Sequence, residues 1–200
     1  MPSRIGVFGG TFDPPHVGHL VTAVNVKHAL RLDTVLLVVA NVPWQKVGLR
    51  AVTPATDRMA LVEAAVEGVA GLEASDLEIT RGGESYTADT LATLKADDPE
   101  AELFVILGSD AAAGLLTWER AEDVRRDAAI VVVTRPGSTE EPPPPGWRWT
   151  RVEVPRLEVS STDLRARVLD GRPLDYLLTP AVIRCVRDRN LYAGEMAAHG

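Results

Sequence analysis

Short aliphatic runs alternate along this chain with longer segments whose apolar residues recur at helical spacing. The runs Ile5 to Phe8, Val35 to Ala40, Leu103 to Leu107 and Ile130 to Val133 contain no polar side chain, as strands buried on both faces require. Between and after them lie the helix candidates Val17 to Leu30, Pro54 to Glu67, Ala88 to Lys95, Trp118 to Arg126, Ser161 to Leu169 and Pro180 to Arg189. Thr53 before Pro54 is a start signal and Gly68 a stop. Crossover connections of this length join parallel strands. The alternation therefore predicts an α/β fold, a doubly wound and mostly parallel sheet. A helical part over about 160 to 192 closes a single domain spanning 1–200. The proline-rich stretch Arg135 to Gly146 reads as a surface loop inside that domain, because strand-like Arg151 to Val154 and two helices still follow it.

Composition narrows the partners. A net charge of −7 and a pI near 5.1 predict no nonspecific nucleic-acid binding, which needs clustered Lys and Arg. The single cysteine, Cys185, allows no internal disulfide and points to a reducing cytoplasm. The apolar residues before Gly9 are too few for a signal peptide. The aliphatic run Val35 to Ala40 is far shorter than the roughly 20 residues that span a bilayer. A cytoplasmic protein with no membrane contact is expected. Oligomeric state stays open, a homo-oligomer included.

The segment Gly9-Gly10-Thr11-Phe12-Asp13-Pro14-Pro15-His16-Val17-Gly18-His19-Leu20 carries the most chemistry. A strand ends at the glycine pair and a helix opens just after the prolines, so main-chain N–H groups converge where an anion would sit. Gly9 and Gly10 permit positive φ and close approach of a phosphate. His16 and His19, three apart, project from one helix face toward the same anion, and Gly18 leaves space between them. Two imidazoles there would protonate or donate hydrogen bonds, stabilising charge that grows on a phosphate in a transition state. As a metal site the pair needs a third ligand, with Asp13 or Asp110 conceivable. The spacing is not Gly-x-Gly-x-x-Gly, and Val39-Ala40-Asn41 offers no acidic residue for a ribose, which argues against a nicotinamide-dependent dehydrogenase.

Near the other end stands Val159-Ser160-Ser161-Thr162-Asp163-Leu164-Arg165. Ser160 or Ser161 can cap a helix with Asp163 in its acidic first turn, and the N–H groups there suit a phosphate. Arg165, one turn on, offers a forked donor. Alone, the stretch would read as an ordinary capped surface helix.

The first segment resembles the His-x-Gly-His motif of the α/β nucleotidyltransferase superfamily, and the second its Ser-Ser-Thr-x-x-Arg signature. The middle of the chain is similar to the bacterial nicotinate mononucleotide adenylyltransferases. The similarity rests on Arg81-Gly82-Gly83-Glu84-Ser85-Tyr86-Thr87-Ala88-Asp89-Thr90-Leu91, Gly108-Ser109-Asp110-Ala111 leading to Trp118, Arg135-Pro136-Gly137, Tyr176-Leu177 with Pro180, and Asn190-Leu191-Tyr192. It runs from Gly9 to Tyr192. One departure stands out: where that family commonly has Pro-x-x-Pro-x-His-Lys, this chain has Asn41-Val42-Pro43-Trp44-Gln45-Lys46, with Gln45 in place of the histidine.

The resemblance implies a Rossmann-like nucleotidyltransferase that moves AMP from ATP to nicotinate mononucleotide, giving nicotinate adenine dinucleotide and pyrophosphate. It implies His16, His19, Lys46 and Arg165 on the reacting phosphates, and Gly9, Gly10, Thr11, Phe12, Gly108, Asp110, Ser161 and Thr162 around ATP. Tyr86, Thr87, Trp118 and Arg135 would hold the nicotinate nucleotide. In that role Trp118 stacks on the ring; otherwise it is core. Mg²⁺ is expected on the ATP phosphates, with no protein metal site. The same fold acting on another phosphorylated acceptor (phosphopantetheine, glycerol phosphate or the amidated mononucleotide), a nucleotide-binding regulator and a metal-dependent hydrolase are the rival readings.

Overall fold

The computed structural model describes residues 2–42, 52–134 and 142–194. The elements, in order, are β1 (Arg4–Gly10), α1 (Val17–Leu30), β2 (Thr34–Val39), α2 (Ala55–Val66), β3 (Leu72–Ser75), α3 (Leu77–Arg81), α4 (Thr87–Asp97) and β4 (Glu102–Gly108). There follow α5 (Ser109–Ala113), a 3₁₀ turn (Leu115–Thr117), α6 (Ala121–Asp127), β5 (Ala128–Thr134), β6 (Trp149–Glu153), α7 (Ser161–Asp170) and α8 (Pro180–Asp188). The strands form one sheet in the order β3-β2-β1-β4-β5-β6, and each neighbouring pair is parallel.

Alternation within each strand sends side chains to both faces. Val35, Leu37 and Val39 of β2 join Ala23 and Val26 of α1 and Val62 and Val66 of α2 on one face. Val38 of β2 and Ile130 and Val132 of β5 join Leu91 and Leu94 of α4 and Val124 of α6 on the other. With both faces covered, the strands have no polar side to show, which is why they read as unbroken aliphatic runs. A third cluster joins Leu61 and Ala65 of α2 to Leu164 of α7, Val182, Ile183 and Val186 of α8, and Tyr192. It docks the C-terminal helices against the α2 face.

Most predicted boundaries shift by one to three residues, and two helix starts fall later than expected. The helix expected from Trp118 begins at Ala121, because Arg120 adopts a left-handed φ of 50° and Trp118 instead caps the 3₁₀ turn. The helix expected from Pro54 begins at Ala55 with Pro54 as its cap residue. Strand β3 and helices α3 and α5 had no expectation; each is four or five residues long, too short for a periodic pattern to register.

Candidate active site

Strand order reverses between β1 and β4, and at such a switch point a crevice opens beyond the carboxyl ends of the strands. Those ends are Gly10 and Gly108. A Cβ on Gly10 would lie 2.8 Å from the Phe12 ring, so glycine lets the chain fold back over that ring. The positive φ that the sequence suggested for the glycine pair falls on Phe12 instead, at 49°. Phe12 is buried and meets Phe8 edge-on at 5.8 Å and His19 at 5.1 Å. An aromatic wedge thus fixes the turn, and Phe12 contributes to the crevice from inside the core.

His16 precedes the first residue of α1 and His19 sits in its first turn. Their rings stack with centroids 3.7 Å apart and planes 25° apart. The Nδ1 of His19 accepts the main-chain N–H of His16 at 3.1 Å, which leaves Nε2 as the donor of a neutral ring. Burial pushes the pKa of His16 down to about 4, so at neutral pH this imidazole is uncharged. Of the two modes expected for the pair, hydrogen-bond donation suits His16 here and protonation does not. Two positive charges at this separation would also repel strongly. A Cβ on Gly18 would come within 3.0 Å of His16 Nδ1, so the glycine gives the ring its place.

The C-terminal helices close over this loop. Ser160 caps α7, its hydroxyl accepting from the Asp163 N–H at 3.2 Å. Ser161 donates to the Pro14 carbonyl at 2.8 Å. The buried Arg165 donates through Nη1 to the Asp13 carbonyl at 2.8 Å and through Nη2 to Thr162 Oγ1 at 3.3 Å. Tyr192 donates to Asp13 Oδ1 at 2.9 Å, and burial, reinforced by the Asp13 carboxylate, pushes the Tyr192 pKa up. The second motif is therefore physically fastened to the first.

Two cavities meet at the Gly10–Thr11 turn. The larger, of about 1020 Å³, is lined by Phe12, His16, His19, Gly108, Asp110, Ser161, Thr162 and Arg165 as well as that turn. The smaller, of about 210 Å³, runs from Gly9, Gly10 and Thr11 to Ser85, Tyr86, Thr87 and Trp118. Gly10, Thr11, Leu107 and Ala111 border both. Helix α4 opens at Thr87, which lines the smaller cavity beside Tyr86, and a helix N-terminus favours an anion. The Tyr86 hydroxyl bonds Glu84, which pushes its pKa up. Buried Glu78 accepts from Thr90 Oγ1 at 2.7 Å, tying α3 to α4 in the wall of the pocket.

Lys46 and Arg135, with Trp44 and Gln45, lie outside the described residues. Glu78 and Glu119 line the smaller cavity without having been singled out in the sequence, while Thr90, which also lines it, stands inside the quoted segment Arg81 to Leu91. For Glu78 the signal was its place just before that segment. Among the described residues no three His, Cys, Asp or Glu side chains could hold a metal ion, so Asp13 and Asp110 do not complete a site with the histidines. No helix among them is long and apolar enough to cross a membrane.

Comparison with known proteins gives the family and the fold. Residues 7–167 match the cytidylyltransferase-like family. A probable nicotinate-nucleotide adenylyltransferase of Streptomyces coelicolor is 45% identical over 94% of this chain and 100% of its own length. One from Exiguobacterium sibiricum is 43% identical over 95% and 99%. The solved nicotinic acid mononucleotide adenylyltransferase of Plasmodium falciparum, complexed with NaAD, superposes with a TM-score of 0.76 over 95% of this chain and 97% of its own, at 19% identity. That likeness establishes the fold.

Proposed function

This chain belongs to the cytidylyltransferase-like family and within it to the nicotinate-nucleotide adenylyltransferases, and we propose that its two cavities carry out adenylyl transfer between them. The enzyme transfers AMP from ATP to nicotinate mononucleotide, giving nicotinate adenine dinucleotide and pyrophosphate, a step of NAD biosynthesis. The observation that carries this reading is the meeting of two unequal cavities at one main-chain turn. The larger takes ATP and the smaller takes the pyridine ring, so the two phosphates that must react converge at Gly10 and Thr11.

The acceptor is a phosphate monoester whose second pKa is near 6, so it is already largely a dianion at pH 7. It needs no general base. What the protein must supply is alignment of two polyanions and stabilisation of charge on the transferring phosphorus and departing pyrophosphate. The main-chain N–H of Thr11, the neutral His16 and His19, and the α7 N-terminus with Ser161, Thr162 and Arg165 are donors around that point. Neutral imidazoles donate without the mutual repulsion that their stacking would impose on two cations. We assign Lys46 and Arg135 to the phosphates and the acceptor nucleotide on sequence grounds. Thr87 at the start of α4 and Tyr86 receive the nicotinate carboxylate, and Trp118 stacks on the ring.

Mg²⁺ would arrive with ATP, held by phosphate oxygens and water as this ion prefers, and would neutralise charge on the polyphosphate. The contributions assigned above to the protein are those of its hydrogen-bond donors.

The test is pyrophosphate release with ATP and Mg²⁺, comparing nicotinate and nicotinamide mononucleotides. Preference for the acid by at least an order of magnitude in kcat/KM is expected. Equal use would remove the carboxylate site at Thr87, and no release with either would remove the function.

A further inference from the structure

One buried side chain outside the substrate cavities gathers the segments that border both of them. Arg58 of α2 is 1% exposed. Its Nη1 donates to the Thr11 carbonyl at 2.9 Å, its Nη2 to the Asn41 carbonyl at 3.1 Å and its Nε to the Thr53 carbonyl at 2.7 Å. Thr11 belongs to the turn where the cavities meet, and Asn41 follows the end of β2. A helix packed on a sheet needs only an aliphatic side chain at such a position, and burying a guanidinium is costly unless its donors are satisfied. A planar fork of donors, by contrast, can fix several carbonyls in one plane, which no aliphatic chain and no lysine can do.

Asn41 passes that anchorage on to the acceptor pocket. Its main-chain N–H donates to Ser85 Oγ at 2.8 Å, and its Nδ2 donates to the Gly83 carbonyl at 2.8 Å. Next to it the Ser85 N–H donates to the Val42 carbonyl at 3.2 Å, and Val42 pairs with Glu84 as an isolated parallel bridge. The loop carrying Ser85 and Tyr86 is thereby stitched to the end of β2, and the end of β2 to the Gly10–Thr11 turn through one guanidinium.

We propose that Arg58 and Asn41 are positioning residues that set the distance between the ATP cavity and the acceptor cavity, Arg58 by holding Thr11 and Asn41 at one point and Asn41 by carrying the acceptor loop from it. The proposal rests on the two-cavity reading of function. Neither residue touches the reacting phosphates. Their effect is on alignment, where a misplacement of about 1 Å costs on the order of 10²-fold in rate.

The experiment measures kcat and both KM values for the full chain, its Arg58→Lys variant and its Asn41→Ala variant, with thermal unfolding of each. Arg58→Lys keeps the charge and loses the fork; kcat should fall at least tenfold while the KM for ATP stays within twofold. Asn41→Ala keeps the main-chain bond to Ser85 and loses the one to Gly83. It should raise the KM for nicotinate mononucleotide at least fivefold and lower kcat, leaving the KM for ATP unchanged. Should Arg58→Lys fail to fold, the partly exposed Asn41 decides alone. A purely structural role would lower the melting temperature and leave these constants within twofold of the parent, which would overturn the proposal. An unsubstituted chain that makes no dinucleotide would remove the functional reading, and this proposal with it.

Discussion

The His16–His19 pair concentrates the chemistry of the site into two stacked rings. His19 presents a donor whose tautomer is set by the His16 N–H, so His19→Ala should cut kcat by about 10²-fold, the effect of losing one preorganised transition-state donor. The KM for nicotinate mononucleotide should change less than threefold; a change in KM alone would assign His19 to ground-state binding. His16 makes a pH prediction. Its pKa is about 4 in the folded chain against 6.5 for the free side chain, so between those values the unfolded chain binds more protons and stability falls as pH drops. Above pH 6.5 the contribution is complete. Urea unfolding at pH 7 and pH 5 should show a loss in the parent that shrinks in His16→Asn, and equal losses in the two would contradict the burial of a neutral ring. These residues were legible in the sequence as a string, but their state was not. The place of the His16 ring depends on Gly18, and the loop before it is clasped by Arg165; no local pattern encodes a contact across most of the chain.

At the scale of elements, α7 and the turn after α8 act as a clasp on the loop after β1. Ser161, Arg165 and Tyr192 all bond to Asp13 or Pro14. Tyr192→Phe removes one donor from a carboxylate that is 1% exposed, and should destabilise the chain by about 1–3 kcal/mol. Chemical denaturation measures it; a change below a few tenths of a kcal/mol would mean Tyr192 is not part of the clasp. The long helices were readable because periodicity accumulates over many residues, and α1 runs from Val17 to Leu30 as the sequence indicated. The start of α6 was not readable. Trp118 and Glu119 look helical by propensity, but Trp118 is extended where it ends the 3₁₀ turn and Arg120 is left-handed. Two backbone reversals in three residues leave no periodic trace in the sequence.

For the whole molecule, the order β3-β2-β1-β4-β5-β6 places the Gly10 and Gly108 ends side by side, and everything else follows from which cavity lies on which side of them. The sequence marked both motifs and the fold class, because unbroken aliphatic strands and helix-start anion sites are local. It did not mark the edge strand β3, or Arg58 as the residue joining the turn to the end of β2, because a buried arginine in an amphipathic helix looks like any solvated one. The most direct test of transfer between two cavities is product stoichiometry: ATP, Mg²⁺ and nicotinate mononucleotide are incubated with the chain, and dinucleotide, pyrophosphate and AMP are quantified together by chromatography. One nicotinate adenine dinucleotide per pyrophosphate, with no AMP and no pyrophosphate when the acceptor is omitted, is the expected result. Pyrophosphate accompanied by free AMP, or formed without acceptor, would mean that water rather than the second cavity's ligand meets ATP at the Gly10–Thr11 turn, and would contradict it.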